Sequence, residues 1–379
     1  MRWTIHKFGG SSLADADCIA HVAGLMADRA QDDGQAIVVS AMAGVTNALL
    51  AMAHDAAQGG SDWKSQFEGL RERHLATAAR LIEGDELQTR LIDQLEQRFV
   101  TLQQLLSSLA LMGSAPKEAL ELISGFGELL SAELLTARLQ QSGEEAVFVD
   151  ARDVLRTKPA ALMVTVDWAA SSAHLERLMG GQPARRYVIT GFICRTVDGR
   201  ISTLGRNGSD YSGSIFGRLL NADEIHIWTN VDGLLSADPG AVPQAELLEH
   251  LSYREAFELA YFGARVIHPQ ALSPALECDI PVFIRNTFNP DCPGTRIDSA
   301  GHPEPPVKGI SGVGNMALVN IEGAGMIGVP GTGERIFGAL HRAEISVSMV
   351  SQGSSEHSIC VVVPGAAGES ARTILEQVF

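Results

Sequence analysis

The chain has 379 residues, 45% of them apolar, with 29 basic against 45 acidic side chains and a formal charge of −16. That length exceeds one ordinary core and predicts two domains; the acidic balance excludes a nucleic-acid partner, which needs a basic face, but not small anions held by a few donors. Five scattered cysteines without a C-x-x-C pair exclude a disulfide framework or zinc site and point to a reducing, cytoplasmic compartment; no signal-like or membrane-length apolar run occurs.

In chain order, Arg2 to Phe8 reads as a strand, followed by Gly9-Gly10-Ser11-Ser12. A helix is expected over about Asp15 to Ala30, with Ile19, Val22, Ala23 and Met26 on one face. Ala36 to Ser40 reads as a buried strand, after which Gly44-Val-Thr-Asn47 opens another helix. This alternation predicts an α/β domain with a parallel-type central sheet flanked by helices. Ala48 to Gln141 is almost wholly helical in pattern, an insertion with breaks near Gly59-Gly60, Gly84 and Gly113 to Pro116. Strands return at Ala146–Val149, Tyr187–Thr190, Ile201–Thr203, Glu224–Thr229 and Val282–Ile284, and Ser252-Tyr-Arg-Glu255 is a capping box opening a helix through Tyr261.

The polar, proline-rich stretch from Asp298 to Val307 predicts a domain boundary. The expected division is a catalytic domain over residues 1–297, a linker over 298–308 and a smaller domain over 309–379. In the last, strands at Ala317–Ile321, Ser346–Val350 and Ser358–Val363 alternate with helices at Thr332–Arg342 and Glu369–Val378. The pattern β-α-β-β-α is a ferredoxin-like unit without its closing strand.

Leu204-Gly-Arg-Asn-Gly-Ser-Asp-Tyr211 concentrates the chemistry of anion handling. Ser209 and Asp210 stand where a helix begins, and such a helix start attracts phosphate or carboxylate; the bland alternative is a glycine-rich turn with a good cap. Lys7 at the end of the first strand is conspicuous because only five of the 29 basic residues are lysines. With Gly9 and Gly10 beside it, it could meet a phosphate, or it could be a snorkelling lysine next to a plain turn. No lysine follows a glycine, so no Walker A loop exists. Gly323-Ala-Gly-Met-Ile-Gly328 fits a dinucleotide fingerprint, but too little chain follows it for a βαβαβ half, so it reads as a turn. Glu128, after Gly125-Phe-Gly127, reads most simply as a solvated helix charge. His268 and Cys194 read as structural, and no metal-ligand spacing is present.

Together these pieces resemble the aspartokinase branch of the amino-acid kinase family. The matching runs are Lys7–Ser12, Val38–Asn47, Gly127-Glu128, Thr190-Gly-Phe192, Leu204–Tyr211, Trp228–Gly233, Phe262–Pro269 and Ser351–Glu356, in order over nearly the whole chain. The loop with Asn207 and the Gln352 segment look most like the kinase half of bifunctional fusions with homoserine dehydrogenase. The resemblance implies that ATP and L-aspartate give ADP and 4-phospho-L-aspartate, the first step toward lysine, threonine and methionine. It implies that Lys7 and Asp210 are catalytic. Ser40, Thr46, Glu128, Phe192, Arg206 and Ser209 would bind aspartate, with Glu128 on the α-ammonium and Arg206 on the α-carboxylate. Lys7, Gly9, Gly10, Ser11, Thr229, Asn230, Asp238 and Arg265 would bind the nucleotide, with Mg²⁺ held mostly by water and phosphate oxygens.

Departures fall on the nucleotide side, where the family's Asp, Tyr, Arg and Lys are replaced by Asn230, Leu235, Gly240 and Arg265. The C-terminal unit resembles an ACT domain. It implies an amino-acid effector near Gln352 and Ser354, threonine over lysine, and a homodimer. A kinase-like amino-acid sensor without efficient catalysis is the alternative that the departures favour; a kinase for another acidic amino acid, such as acetylglutamate, fits less well.

Overall fold

The computed structural model describes residues 2–29, 34–158, 164–205, 207–261, 268–323, 326, 328–353 and 358–379. It divides into two compact units, Met1–Ser311 and Gly312–Phe379. The first contains strands β1 (Trp3–Phe8), β2 (Gly34–Val39), β3 (Ala146–Val149), β4 (Arg156–Lys158), β5 (Thr165–Val166) and β6 (Arg186–Thr190). It continues with β7 (Ile193–Thr196), β8 (Ile201–Thr203), β9 (Glu224–Thr229), β10 (His250–Ser252), β11 (Val282–Asn286) and β12 (Thr295–Asp298). Its helices are α1 (Ala16–Ala27), α2 (Val45–Ala57), α3 (Asp62–Leu81), α4 (Asp85–Met112), α5 (Lys117–Ser124) and α6 (Phe126–Gln141), then α7 (Ala151–Val154), α8 (Trp168–Gly181), α9 (Gly208–Leu219), α10 (Tyr253–Tyr261) and α11 (Ser273–Glu277).

Eight strands form the central sheet in the order β10-β12-β11-β9-β1-β2-β6-β3. All pairings are parallel except β11 with β12. The inner strands are apolar on both faces, as a sheet covered twice requires; β2 is buried at every residue. One apolar core, with Phe8, Val39 and Trp228, packs under α1 and the helical block α2 to α6. The other, with Ile5, Val38, Ile227 and Ile284, packs under α9 and its neighbours. A smaller sheet, β5-β4-β7-β8, carries the hairpin that leads into α9.

Local signals explain several boundaries. Asp15 caps α1 by accepting the Cys18 amide at 2.9 Å, and α1 buries Ile19, Val22, Ala23 and Met26. The Ser252 box forms in full: Glu255 Oε2 accepts the Ser252 amide at 2.7 Å and Ser252 Oγ accepts the Glu255 amide at 3.2 Å. α6 is buried at 13 of its 16 positions because it is wedged between the sheet and the rest of the helical block. Asp298 ends β12, and its carboxylate accepts the amides of Ala300 and Gly301 at 3.1 and 2.9 Å, so the polar stretch after it begins as an ordered turn.

The second unit holds β13 (Met316–Glu322), α12 (Thr332–Arg342), β14 (Met349–Gln352), β15 (Ser358–Pro364) and α13 (Gly368–Glu376). Its antiparallel sheet has the order β13-β15-β14, the arrangement of the first three strands of a ferredoxin-like unit. Ile336, Leu340, Val361, Val363 and Leu375 form its core. The expected strand from Ser346 begins only at Met349. The first ladder pair is Met349 with Val362, and the only step before it is the Ser348 amide donating to Val362 O at 2.8 Å among the main-chain bonds of the described residues.

Candidate functional site

The central sheet places four loop starts on one edge. β9, β1, β2 and β6 are adjacent and parallel, so the residues after Thr229, Phe8, Val39 and Thr190 emerge side by side at the carboxyl end, where open α/β sheets bind ligands. Main-chain bonds extend the ladder past the strands. Ser40 N donates to Phe8 O at 3.1 Å, Gly191 N to Val39 O at 2.8 Å and Thr287 N to Thr229 O at 2.8 Å. Gly9 N donates to Trp228 O at 3.3 Å. That amide is therefore committed to the fold and is not the free phosphate donor expected of it.

Above this edge lies a cleft of about 380 Å³. Its wall brings together Gly10, Ser40, Thr46, Glu128, Phe192 and Ser209 from five separate segments. Asn47 and Asn207 also line it; both stood within the quoted sequence runs, but nothing in their residue type singled them out.

Glu128 corrects its simplest reading. It is 3% exposed, not solvated. Oε1 accepts the Ala41 amide at 3.2 Å, and Oε2 has no hydrogen-bond partner among the described residues. Burial raises its pKa from 4.5 to about 7, opposed by the Ala41 bond and by the charge of Lys7. Gly127 is what allows the approach, since a Cβ there would lie 2.5 Å from that of Ala41. Ser131, one turn on, donates to Ser40 O at 2.6 Å and fixes α6 against the β2 loop.

α9 begins beneath the same wall, but not with a side-chain cap. Asn207 adopts the left-handed conformation, φ 55°, and caps through its carbonyl, which accepts the amides of Asp210 and Tyr211 at 3.1 and 3.2 Å. Phe192 is also left-handed, φ 64°. It is held there because its amide donates to Ser212 Oγ at 2.9 Å while its carbonyl accepts the Leu204 amide at 2.8 Å.

Lys7 and Asp210 meet rather than line the cleft wall. Nζ lies 2.5 Å from Oδ1, with side chains 8% and 14% exposed. The approach lies outside hydrogen-bond angles, so the contact is chiefly coulombic. Gly213, one turn into α9, leaves room for the lysine stem; a Cβ there would stand 3.3 Å from Lys7 Cβ.

The remaining nucleotide-side residues are less gathered. Ser11 is exposed in the short 3-10 turn Gly10–Leu13. Thr229 and Asn230 follow β9 and contact each other, Oγ1 to Oδ1 at 3.3 Å. Asp238 spends an oxygen on the Gly240 amide at 2.8 Å. Leu235 bridges to Leu247. Arg206, Arg265 and Ser354 lie outside the described residues. Gln352 is the exposed last residue of β14. Cys194 is buried beside Thr157, its thiol pushed up to about 11 by burial, which suits a structural role.

The Amino acid kinase family model matches residues 2–286, and that of the ACT domain matches 319–379. The chain is 39% identical, over 388 aligned positions, to the chloroplastic bifunctional aspartokinase/homoserine dehydrogenase of Daucus carota, covering 100% of this chain and 42% of that protein. It is 36% identical to the bifunctional aspartokinase/homoserine dehydrogenase of Haemophilus influenzae, covering 98% and 46%. The chain thus spans less than half the length of these relatives. Among solved structures, E. coli aspartokinase III in complex with aspartate and ADP matches with a TM-score of 0.81 at 27% identity, over 99% of this chain and 83% of that one. The lysine and aspartate complex of the same enzyme matches with a TM-score of 0.78 at 28% identity, over 99% and 82%. With a shared sheet, a cleft at its carboxyl edge and a family match over three quarters of its length, the chain belongs to the amino acid kinase family.

Proposed function

We propose that the chain is an aspartate kinase module, moving the γ-phosphoryl group of ATP to the side-chain carboxylate of L-aspartate. The observation that carries this reading is the half-satisfied, buried Glu128 on a cleft wall adjoining a buried Lys7–Asp210 pair. A carboxylate with an open oxygen suits an ammonium, and a fixed lysine suits a phosphoryl group. The bifunctional relatives and the structure holding aspartate with ADP support the same pairing of substrates.

In this reading Glu128 receives the α-ammonium, while Ser40, Thr46, Phe192 and Ser209 shape the rest of the amino-acid site and Arg206 takes the α-carboxylate. An oxygen of the side-chain carboxylate attacks the γ-phosphorus, and the bond to the bridging oxygen of ADP breaks. No covalent enzyme intermediate is needed, because such a transfer depends on alignment and charge neutralisation. Lys7 offsets negative charge spreading over the transferring oxygens, and Asp210 holds its ammonium in place. Gly10, Thr229, Asn230 and Arg265 are proposed on the nucleotide side. Among the described residues no group of three or more His, Cys, Asp or Glu could hold a metal. The Mg²⁺ that accompanies ATP fits as an ion bound by nucleotide oxygens and water.

The ACT unit supports regulation by an amino acid, with threonine proposed over lysine, and a homodimeric assembly. A cytoplasmic location rests on the five cysteines, none in a disulfide. The changes at Asn230, Leu235 and Gly240 favour one second reading, a sensor that binds aspartate without turning it over. Coupled measurement of ADP release with aspartate and Mg-ATP separates the two. Turnover lost in Lys7→Ala supports the kinase; aspartate binding without turnover in the parent supports the sensor.

A further inference from the structure

α6 carries a second buried carboxylate, Glu133, five residues after Glu128 and about 140° further around the helix. It therefore faces away from the cleft, into a separate cavity of about 510 Å³ between α4, α6 and β3. Glu133 is 8% exposed. Arg98 of α4 holds only its Oε1, through Nε at 3.0 Å and Nη2 at 2.9 Å. Oε2 has no partner among the described residues. A buried carboxylate left half-satisfied is costly, and such groups mark places where a polar ligand completes the shell.

The rest of the cavity narrows what that ligand is. Arg90 opens onto it from α4, and its guanidinium matches a carboxylate fork. Thr101 and Thr136 add hydroxyls, and Gln97 an amide. Leu91 and Phe148 supply an apolar wall. A bare metal ion would face one open oxygen and two arginines, a poor set for any cation. A zwitterion resolves the conflict, since its ammonium answers Glu133 while its carboxylate answers the arginines. The volume is that of a small-molecule site.

We propose that this cavity binds a free α-amino acid, with Glu133 receiving its ammonium, Arg90 its carboxylate and the Leu91–Phe148 wall its side chain. The site lies wholly within the first unit and does not depend on the kinase reading, because it is tested by binding alone. Calorimetric titration of the full chain with each of the twenty common L-amino acids, in the presence of excess L-aspartate, gives the parent profile. Two variants at exposed positions of α4 then locate the site, Thr101→Trp filling the cavity and Arg90→Ala removing the carboxylate partner. Circular dichroism melts confirm that both remain folded. The expected result is at least one amino acid whose Kd rises tenfold or more in both variants. Three results overturn the proposal: no binding in the parent, a Kd unchanged in both variants, or sedimentation showing that Thr101→Trp dissociates a self-associated form, which would assign the cavity to a second copy.

Discussion

Lys7 at the end of β1 and Asp210 in the first turn of α9 are joined at 2.5 Å, an ion pair that ties the central sheet to the helix beneath the cleft. Neither side chain has much water to fall back on. Lys7→Ala is expected to lower kcat by roughly a hundred- to a thousandfold, the usual loss when one charge-stabilising donor is removed. Asp210→Ala leaves the ammonium buried and unpaired, and should cost about 3–5 kcal/mol of stability. Asp210→Asn keeps the volume, and should lower kcat while leaving the KM for aspartate near that of the parent. ADP-release kinetics and urea unfolding of the three variants check these outcomes.

Glu128 predicts a pH dependence with a defined sign. Its folded-state pKa is raised from 4.5 to about 7, so its contribution to stability is fully present below the unfolded value and is lost as pH rises through about 7. Relative to the parent, Glu128→Gln should therefore gain stability as pH increases across that window. Catalysis runs the other way, because an ammonium needs the ionised carboxylate. kcat/KM for aspartate should rise as pH passes about 7, and that limb should vanish in Glu128→Gln. Melting curves and initial rates across the pH range give both readouts.

Gly191 follows β6 where the β2 and α9 segments converge. A Cβ there would lie 2.9 Å from Val39 O and 3.0 Å from Ser209 Cβ. Gly191→Ala must move one of them, and the backbone of β2 has little freedom. We expect a stability loss of about 1–3 kcal/mol and a raised KM for aspartate through displacement of Ser209. Unchanged kinetics in a folded variant would count against Ser209 as a substrate contact.

The capping box offers a control away from the cleft. Ser252→Ala removes the hydroxyl that accepts the Glu255 amide and should cost about 1 kcal/mol. Denaturant unfolding should show that loss, with kcat and KM unchanged.

Much of this was legible from residue order. Period and glycine placement predict seven of the twelve strands described in the first unit, and the Ser252 box is a local signal that survives folding. Burial was not legible. Glu128 reads as a surface charge because nothing in its neighbours shows that α6 is packed on every side. Glu133 was missed for the same reason, since its partner Arg98 lies 35 residues earlier. The start of α9 is set by backbone shape, the left-handed Asn207 accepting the Asp210 and Tyr211 amides through its carbonyl, which residue type alone does not announce. At Gly9 the amide is taken by the sheet's own ladder, donating to Trp228 O, a commitment that residue type does not announce.

The bonds that run from Trp228 to Gly9, from Phe8 to Ser40 and from Val39 to Gly191 use main-chain atoms only. The floor of the cleft is thus written in a part of the polypeptide that most substitutions do not edit. Side chains such as those of Thr229 and Asn230 can change while the scaffold that presents them keeps its form. Inheritance of shape and inheritance of chemistry are separable in this protein. Placing a carboxylate at Asn230 would therefore be a change of reagent on a platform that already has its geometry.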